Sequence, residues 1–189
     1  MKPRPFPPIL KNIIHTALKS CEGVRFHPGS ICSACGGTLS GYDARKKRFA
    51  ILLEDDQPRP VHVIIQRSYC CTCGKFAVPR EPFYPCTRIG SPVVDLCRSV
   101  SVAMPFSRTS TNLSMMGVLV DRWSVRNYAR MPLKDVPSLE VFGMNIPASI
   151  ISLSSLSESQ DHAGHTNGED ILAACFYPSD RPFRKSFPS

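Results

Sequence analysis

The chain has 189 residues and a mass of 20.9 kDa, a length typical of one ordinary domain or two small ones and too short for a large enzyme. Hydrophobic residues make up 42% of it, enough for a packed core, but no apolar run approaches the roughly 18 residues of a membrane-crossing helix. Four prolines within the first ten residues interrupt the apolar stretch that a signal peptide needs. We therefore expect a cytoplasmic protein with no membrane partner.

The formal charge is +8 and the isoelectric point is about 9.2, which favours a polyanion as partner. Residues 1–135 contain 20 of the 23 lysines and arginines but only nine of the 15 acidic residues. The remaining residues, 136–189, carry a net charge of −3. Any nucleic-acid site is therefore expected within the first 135 residues.

The first half of the chain is predicted to contain a leader, a helix and a β-hairpin. Residues 1–10 are rich in proline and typical of an extended leader, and residues 11–19 have the apolar spacing of a short amphipathic helix. Two β-rich runs follow, at residues 48–54 and 61–67. The acidic, proline-containing stretch between them indicates a turn.

From Ser91 onward the hydrophobic pattern becomes helical. It predicts one helix over residues 91–104, a second over residues 107–116, and a third that starts after Asp121, which would cap it. Residues 152–170 are polar and rich in serine, and this composition favours a mobile loop.

Nine cysteines are a high count for a reducing compartment, where paired thiols are more often metal ligands than disulfides. Four of them form two copies of a Cys-x-x-Cys-Gly unit: Cys32, Cys35, Cys70 and Cys73. Two intervening residues let a tight turn direct both sulfurs at one point, and the glycine tolerates a left-handed backbone. The predicted hairpin would bring the second unit beside the first. The spacing therefore predicts one structural Zn²⁺ ion in a four-thiolate site, as in a zinc ribbon.

Other interpretations of these residues remain open. The four cysteines could be unrelated and buried, or one pair could be a redox motif, although no thioredoxin-like βαβ pattern surrounds either copy. A catalytic zinc ion is disfavoured because four thiolates leave no open position for water. Cys71 could replace Cys70 at the cost of the matching spacing. His162 and His165 stand at ligand spacing in the polar loop, but we expect both to be solvated.

The third predicted helix has two different faces. Val125, Tyr128 and Ala129 form an apolar stripe. The opposite face carries Arg122, Trp123, Arg126, Asn127 and Arg130. Arginine and asparagine are the side chains that pair bidentately with guanine and adenine edges, and no acid interrupts residues 122–131. A solvated charged face is the alternative for the arginines, and burial beneath the turn is the alternative for Trp123.

The second and third helices, separated by Gly117, have the arrangement of a helix-turn-helix, although the turn is two residues longer than the tightest form. The order of these features resembles the N-terminal region of insertion-sequence transposases. It consists of a Cys-x-x-Cys-Gly unit, a hairpin, a basic strand that leads into the second unit (QRSYCCTCGKF) and a helix-turn-helix that contains GVLVDRWSVRNY. The resemblance covers residues 30–131. It implies binding to double-stranded transposon-end or related DNA, with the four cysteines as zinc ligands. It also places these residues at the DNA: Arg122, Ser124, Arg126, Asn127 and Arg130. Trp123, on the same face of the helix as the arginines, is the sixth residue predicted to contact DNA.

Such transposases continue into a catalytic domain whose carboxylates hold metal ions. Here 58 residues follow Met131, too few for that domain, so no catalytic residue is predicted and the chain is not expected to be an enzyme. One alternative is a zinc-ribbon adaptor that binds protein or regulates transcription. Another is a nuclease that uses the acids of the tail: Glu140, Glu158, Asp161, Glu169, Asp170 and Asp180. RNA binding is compatible with the charge, but the sequence shows no aromatic-rich strand for base stacking.

These observations predict an α+β protein in four parts. Residues 1–29 form a leader with a short helix, residues 30–80 a zinc ribbon and residues 90–131 a three-helix unit with a helix-turn-helix. Residues 132–189 form a loop-rich, partly disordered tail, whose deletion from residue 152 onward is expected to change DNA affinity by no more than a few-fold. Double-stranded DNA is the expected partner, a homodimer is a further possibility, and no small-molecule substrate is expected.

Overall fold

A computed structural model of the protein describes residues 7–133, 137–160 and 166–176. Within these ranges the fold is α+β, as predicted. The helices are α1 (Pro8–Lys19), α2 (Ser91–Ser101), α3 (Phe106–Met115), α4 (Arg122–Ala129), α5 (Ala148–Gln160) and α6 (Gly168–Ala174). The strands are β1 (Arg25–Phe26), β2 (Leu39–Glu54), β3 (Gln57–Cys70), β4 (Phe76–Ala77), β5 (Ser138–Val141) and β6 (Met144–Pro147). Among the described residues, no helix combines the length and apolar character that crossing a bilayer requires.

The central element is a long antiparallel hairpin of β2 and β3. It runs from the pair Glu54–Gln57 at the turn to the pair Leu39–Cys70 at its open end. The two turn residues, Asp55 and Asp56, have φ angles of 47° and 59°, the left-handed pair that suits a two-residue hairpin turn. β1 pairs parallel to β3, and β4 pairs antiparallel to β3 near the open end.

Both hairpin strands are longer than the sequence pattern predicts. The outer half of β2 is polar and basic, so it has no apolar alternation to reveal it. In β3, Pro58 and Pro60 lie inside the strand rather than in the turn, opposite Leu53 and Ile51. In an antiparallel hairpin, hydrogen-bonded and non-hydrogen-bonded residue pairs alternate, starting with a hydrogen-bonded pair beside a two-residue turn. Both prolines therefore fall in non-hydrogen-bonded pairs, where a residue of β3 donates no N–H to β2.

The core surrounds the turn end of the hairpin, which we define as residues 48–65. Most helices pack there, and α1 contributes a buried side formed by Leu10, Ile14, Ala17 and Leu18. This helix begins at Pro8, within the stretch predicted to be an extended leader. Proline is tolerated in the first helical turn because its missing N–H would have no partner there.

The tail differs most from the prediction. Residues 152–160, expected to form a mobile loop, belong to α5, which packs along α1 with Ile150 and Leu153 fully buried. Ser149 and Ser154 of α5 are also buried. Serine on the buried side of α5 interrupts the apolar period of the helix, and for this reason the sequence pattern predicted a loop. His162 and His165 lie outside the described residues.

The three helices predicted between residues 91 and 131 are present, with ends shifted by a few residues. α2 ends at Ser101 because Pro105 follows, and α2, α3 and α4 contact one another. The segment between α3 and α4 pairs with β2: the Leu53 amide donates to Gly117 O at 2.8 Å, and the Leu119 amide donates to Ile51 O at 2.9 Å. Backbone hydrogen bonds therefore attach the segment between these two helices to the hairpin.

Candidate metal centre and nucleic-acid interface

The four predicted ligand thiols come together at the open end of the hairpin. The sulfur atoms of Cys32, Cys35, Cys70 and Cys73 all lie within 4.8 Å of one another. The Sγ–Sγ distances are 3.8 Å between Cys32 and Cys73 and 3.5 Å between Cys35 and Cys70. A tetrahedral ion with metal–sulfur bonds of about 2.3 Å needs sulfurs about 3.8 Å apart. The described residues therefore contain a cluster of four cysteines with the dimensions of a metal site.

The two halves of this cysteine cluster have the same backbone geometry. In the first, the Gly36 amide donates to Cys32 O at 2.9 Å, and in the second the Gly74 amide donates to Cys70 O at 3.0 Å. Both glycines have a φ angle of 72°, which disfavours any other residue. The repeated Cys-x-x-Cys-Gly unit therefore forms the same turn twice, as its sequence predicts.

Glycine also permits the two halves to approach each other. A Cβ atom on Gly37 would lie 2.3 Å from Thr72 Oγ1 and 3.2 Å from Cys70 Sγ. Cys71, the alternative ligand, is exposed and outside the cluster.

The thiols of the cluster ionise unequally. Backbone amides of its own turn lower the pKa of Cys32, and the amide of Cys73 is the main cause that lowers the pKa of Cys70 to about 6. A backbone amide also lowers the pKa of Cys35, but the neighbouring thiols of Cys73 and Cys70 outweigh it and raise this pKa to about 12. Four thiolates this close repel one another, so a bound cation is what would allow all four to be deprotonated together.

The second candidate region is α4, whose start is fixed by Asp121. This carboxylate accepts hydrogen bonds from the amides of Trp123 and Ser124 at 2.9 and 3.0 Å, and from the Ser124 hydroxyl at 2.6 Å. These hydrogen bonds lower the pKa of Asp121, and the bond from the Ser124 hydroxyl contributes most. Val125 is fully buried, so the side of α4 opposite to it faces outward.

The outward side of α4 and its C-cap residue Arg130 form what we call the arginine face, which consists of Arg122, Trp123, Arg126, Asn127 and Arg130. Four of these residues line a cleft of 240 Å³ together with Phe106 of α3, while Asn127 is exposed beside it. Trp123 is 68% exposed, which excludes the alternative in which it is buried beneath the turn. The Arg126 guanidinium lies 5.4 Å from the centre of the Trp123 ring, close enough for the ring to orient it.

Ser124 lies apart from the arginine face. Its hydroxyl is bonded to Asp121, and the residue lines a different cleft, of 780 Å³, between α3, α4 and β2. Arg48, Arg88 and Thr111 line the same cleft. The structure thus separates one predicted DNA-contacting residue from the other five.

Sequence reasoning missed three exposed aromatic side chains beside the cysteine cluster. Phe76 of β4 contacts both Tyr42 of β2 and Tyr69 of β3, and we call these three residues the aromatic triad. Their positions are far apart in the sequence, so no local pattern reveals them. Phe106, in the cleft of the arginine face, was missed for the same reason.

The acidic residues of the tail do not form a second metal site within the described ranges. Glu140 lies on β5, Glu158 on α5, and Glu169 and Asp170 in the first turn of α6. Among the residues that the structure describes, the cysteine cluster alone brings three or more potential ligands together. Asp161 and Asp180 lie outside those residues.

Comparisons with models of protein families, with curated proteins and with solved structures find no match for this chain.

Proposed function

We propose that the protein binds double-stranded DNA through α4 and uses a zinc ion to hold the open end of its hairpin. The observation that carries this proposal is the arginine face. It presents three arginines, an asparagine and a tryptophan on the outward side of one short helix and its C-cap, with no acidic side chain in α4. Polyanion binding is the function that a face of one charge sign supports best.

The dimensions of this helix suit the major groove. An α-helix with its side chains is about 10–12 Å in diameter, and the major groove of B-form DNA is about 12 Å wide. The arrangement of α2, α3 and α4 supports the interpretation as a helix-turn-helix, because the first two helices pack behind α4 and leave its arginine face open. Arg126 and Asn127 are central on α4 and would meet base edges, while Arg122 and Arg130 would contact phosphates.

Zinc is the metal that fits the cysteine cluster best. Four soft thiolates within 4.8 Å of one another favour zinc over hard cations such as Mg²⁺, and a closed four-ligand site has a structural role. In this proposal Cys32, Cys35, Cys70 and Cys73 hold one ion and no catalytic step is assigned to it. Elemental analysis of purified protein should find one equivalent of zinc per chain.

The DNA proposal is tested by selecting bound sequences from random duplexes and then measuring two variants on the preferred site. Arg126→Ala should cost about 1–3 kcal/mol and weaken discrimination at one base pair. Arg130→Ala should weaken binding to all sequences alike and reduce the dependence of log K on log salt by about one unit.

Arg25→Ala is the matched control, since Arg25 is exposed on β1 and lines a different cleft from the arginine face. It should retain the parent affinity and specificity. If Arg126→Ala and Arg130→Ala bind specific and random duplexes as the parent does, the arginine face is a solvated surface and the proposal is wrong.

A further inference from the structure

The aromatic triad is an exposed apolar surface that the proposed function does not use. Tyr42, Tyr69 and Phe76 are 60%, 39% and 55% exposed. The ring centres of Tyr42 and Phe76 are 4.8 Å apart, and those of Tyr69 and Phe76 are 5.6 Å apart. Three strands each contribute one ring, so the triad belongs to the sheet itself rather than to a loop.

The pairing of the strands gathers these rings on one face. A bulge between Gly41 and Asp43 leaves Tyr42 without a partner in β3. Its ring lies 5.6 Å from the Arg67 guanidinium, and Arg67 and Tyr69 point to the same side of β3 because they are two residues apart. Phe76 lies directly opposite Tyr69 in the register of β3 and β4.

The surroundings of the triad are basic. Residues 39–47 and 66–77 contain five lysines and arginines but a single acid, Asp43. That acid is paired with Arg67 in a two-point ion pair, and Lys47 is paired with Glu81 at 2.7 Å. The cations outside these two ion pairs are Arg45, Lys46 and Lys75. The same argument from charge that favours a polyanion at the arginine face therefore applies here, to a surface of a different kind.

Exposed rings beside cations suit nucleobases that are not paired. In a duplex the faces of the bases are stacked on one another, so a ring on a sheet surface cannot reach them. In a single strand each base has a free face, and stacking on an aromatic side chain contributes about 1–3 kcal/mol per base. Neighbouring lysines and arginines neutralise the phosphates of the same strand.

We propose that the aromatic triad binds unpaired bases of single-stranded DNA, so that the cysteine end of the hairpin, defined as residues 30–47 and 66–78, is a second nucleic-acid surface. Tyr42, Tyr69 and Phe76 stack on bases, while Lys75 and Arg45 contact phosphates. The choice of DNA rests on the proposed function, whereas the single-stranded character rests on the triad alone.

The test measures binding of a fluorescent 15-nucleotide thymidine oligomer, dT15, by anisotropy at low salt. The double variant Tyr42→Ala/Phe76→Ala should weaken dT15 binding at least tenfold and leave the affinity for duplex DNA within about twofold. Tyr42→Phe keeps the ring and should bind dT15 as the parent does. Phe142→Ala removes an equally exposed ring, 62% accessible in the turn between β5 and β6, and is the matched control.

A second measurement does not depend on a variant that must fold. Irradiation of the parent protein with dT15 carrying one 5-iododeoxyuridine should cross-link a peptide that contains Tyr42, Tyr69 or Phe76. Cross-linking at Trp123 alone would place the strand on α4 and overturn the proposal. Equal dT15 affinity of parent and folded double variant would also overturn it, as would failure of the parent to bind dT15.

The outcomes separate this proposal from the proposed function. Arg126→Ala should lower duplex affinity and leave dT15 affinity unchanged, so each surface can fail independently of the other. If rU15, the RNA counterpart, binds several-fold more tightly than dT15, the ligand is RNA and the proposal of single-stranded DNA is wrong.

Discussion

At its turn end the β2–β3 hairpin places Leu52, Val61 and Val63 in the core, fully buried beneath the helices. At its cysteine end the buried residues are Cys32, Ser68 and Cys70, and none of them is a large apolar side chain. The same two strands therefore have buried apolar surface at one end and a cluster of four thiols beside the other. Burial stabilises a protein without a cofactor, whereas thiols contribute folding free energy when they bind a metal.

This difference also separates the two exposed surfaces. The arginine face lies on a helix whose other side is packed against the core through Val125. The aromatic triad lies on strands that have little core beneath them. We therefore expect the arginine face to persist without metal and the aromatic triad to depend on it.

The largest loss of stability is expected from a substitution in α5, which belongs to the core around the turn end. Leu153→Ala removes a fully buried side chain and should reduce the free energy of unfolding by about 2–5 kcal/mol, measured by urea denaturation. Ser155→Ala, on the exposed side of the same helix, should change it by less than about 0.5 kcal/mol. Equal stability of the two variants would contradict the packing of α5 in the core.

The same packing alters the expectation for deletion of residues 152–189. Because that deletion removes Leu153 and most of α5, it exposes the apolar side of α1, including Ile14. The truncated chain should therefore lose cooperative thermal unfolding, and its DNA affinity should not stay within a few-fold of the parent's. A truncated chain that melts like the parent would show that α5 is dispensable.

Removal of the metal should have an intermediate effect that is confined to one end of the hairpin. After chelation, hydrogen exchange should accelerate in the cysteine end, residues 30–47 and 66–78, while amides of the turn end keep their protection. The helical circular dichroism signal should be retained, because the helices pack around the turn end. Global unfolding on chelation would instead show that the two ends are one cooperative unit.

A smaller, pH-dependent change in stability is expected from substitution of Asp121, the N-cap residue of α4. Asp121→Ala should cost about 0.5–2 kcal/mol, the usual contribution of a helix N-cap. The pKa of Asp121 is lowered in the folded protein, so its contribution is present above the unfolded value of about 3.9 and is lost as the pH falls through the lower folded value. The stability difference between parent and variant should therefore shrink below pH 4. A difference that is constant across this range would mean that the carboxylate does not cap α4.

The smallest effect is expected at Cys71, which adjoins the cluster in sequence but is exposed outside it. Cys71→Ser should retain one equivalent of metal and change the free energy of unfolding by less than about 0.5 kcal/mol. Cys35→Ser, by contrast, should lose tight metal binding. Similar metal loss in both variants would imply that the second unit binds through Cys71.

Much of the local structure could be predicted from the sequence. The Cys-x-x-Cys-Gly spacing predicted the cluster because its geometry depends on turns of five residues, and the glycines after Cys35 and Cys73 meet the backbone requirement directly. The cap at Asp121 and the buried position of Val125 also follow from neighbours within one or two helical turns. Interactions of this range are encoded by adjacent residues.

The tertiary structure alone decided the rest. Serines on the buried side of α5 hid its helical period, and the helix forms because α1 offers an apolar partner. Tyr42, Tyr69 and Phe76 meet because the register of three strands and a bulge beside Gly41 bring them together. Register depends on the pairing of distant segments, and a shift by one residue would turn each side chain to the opposite face of the sheet. No pattern within a single segment carries that information.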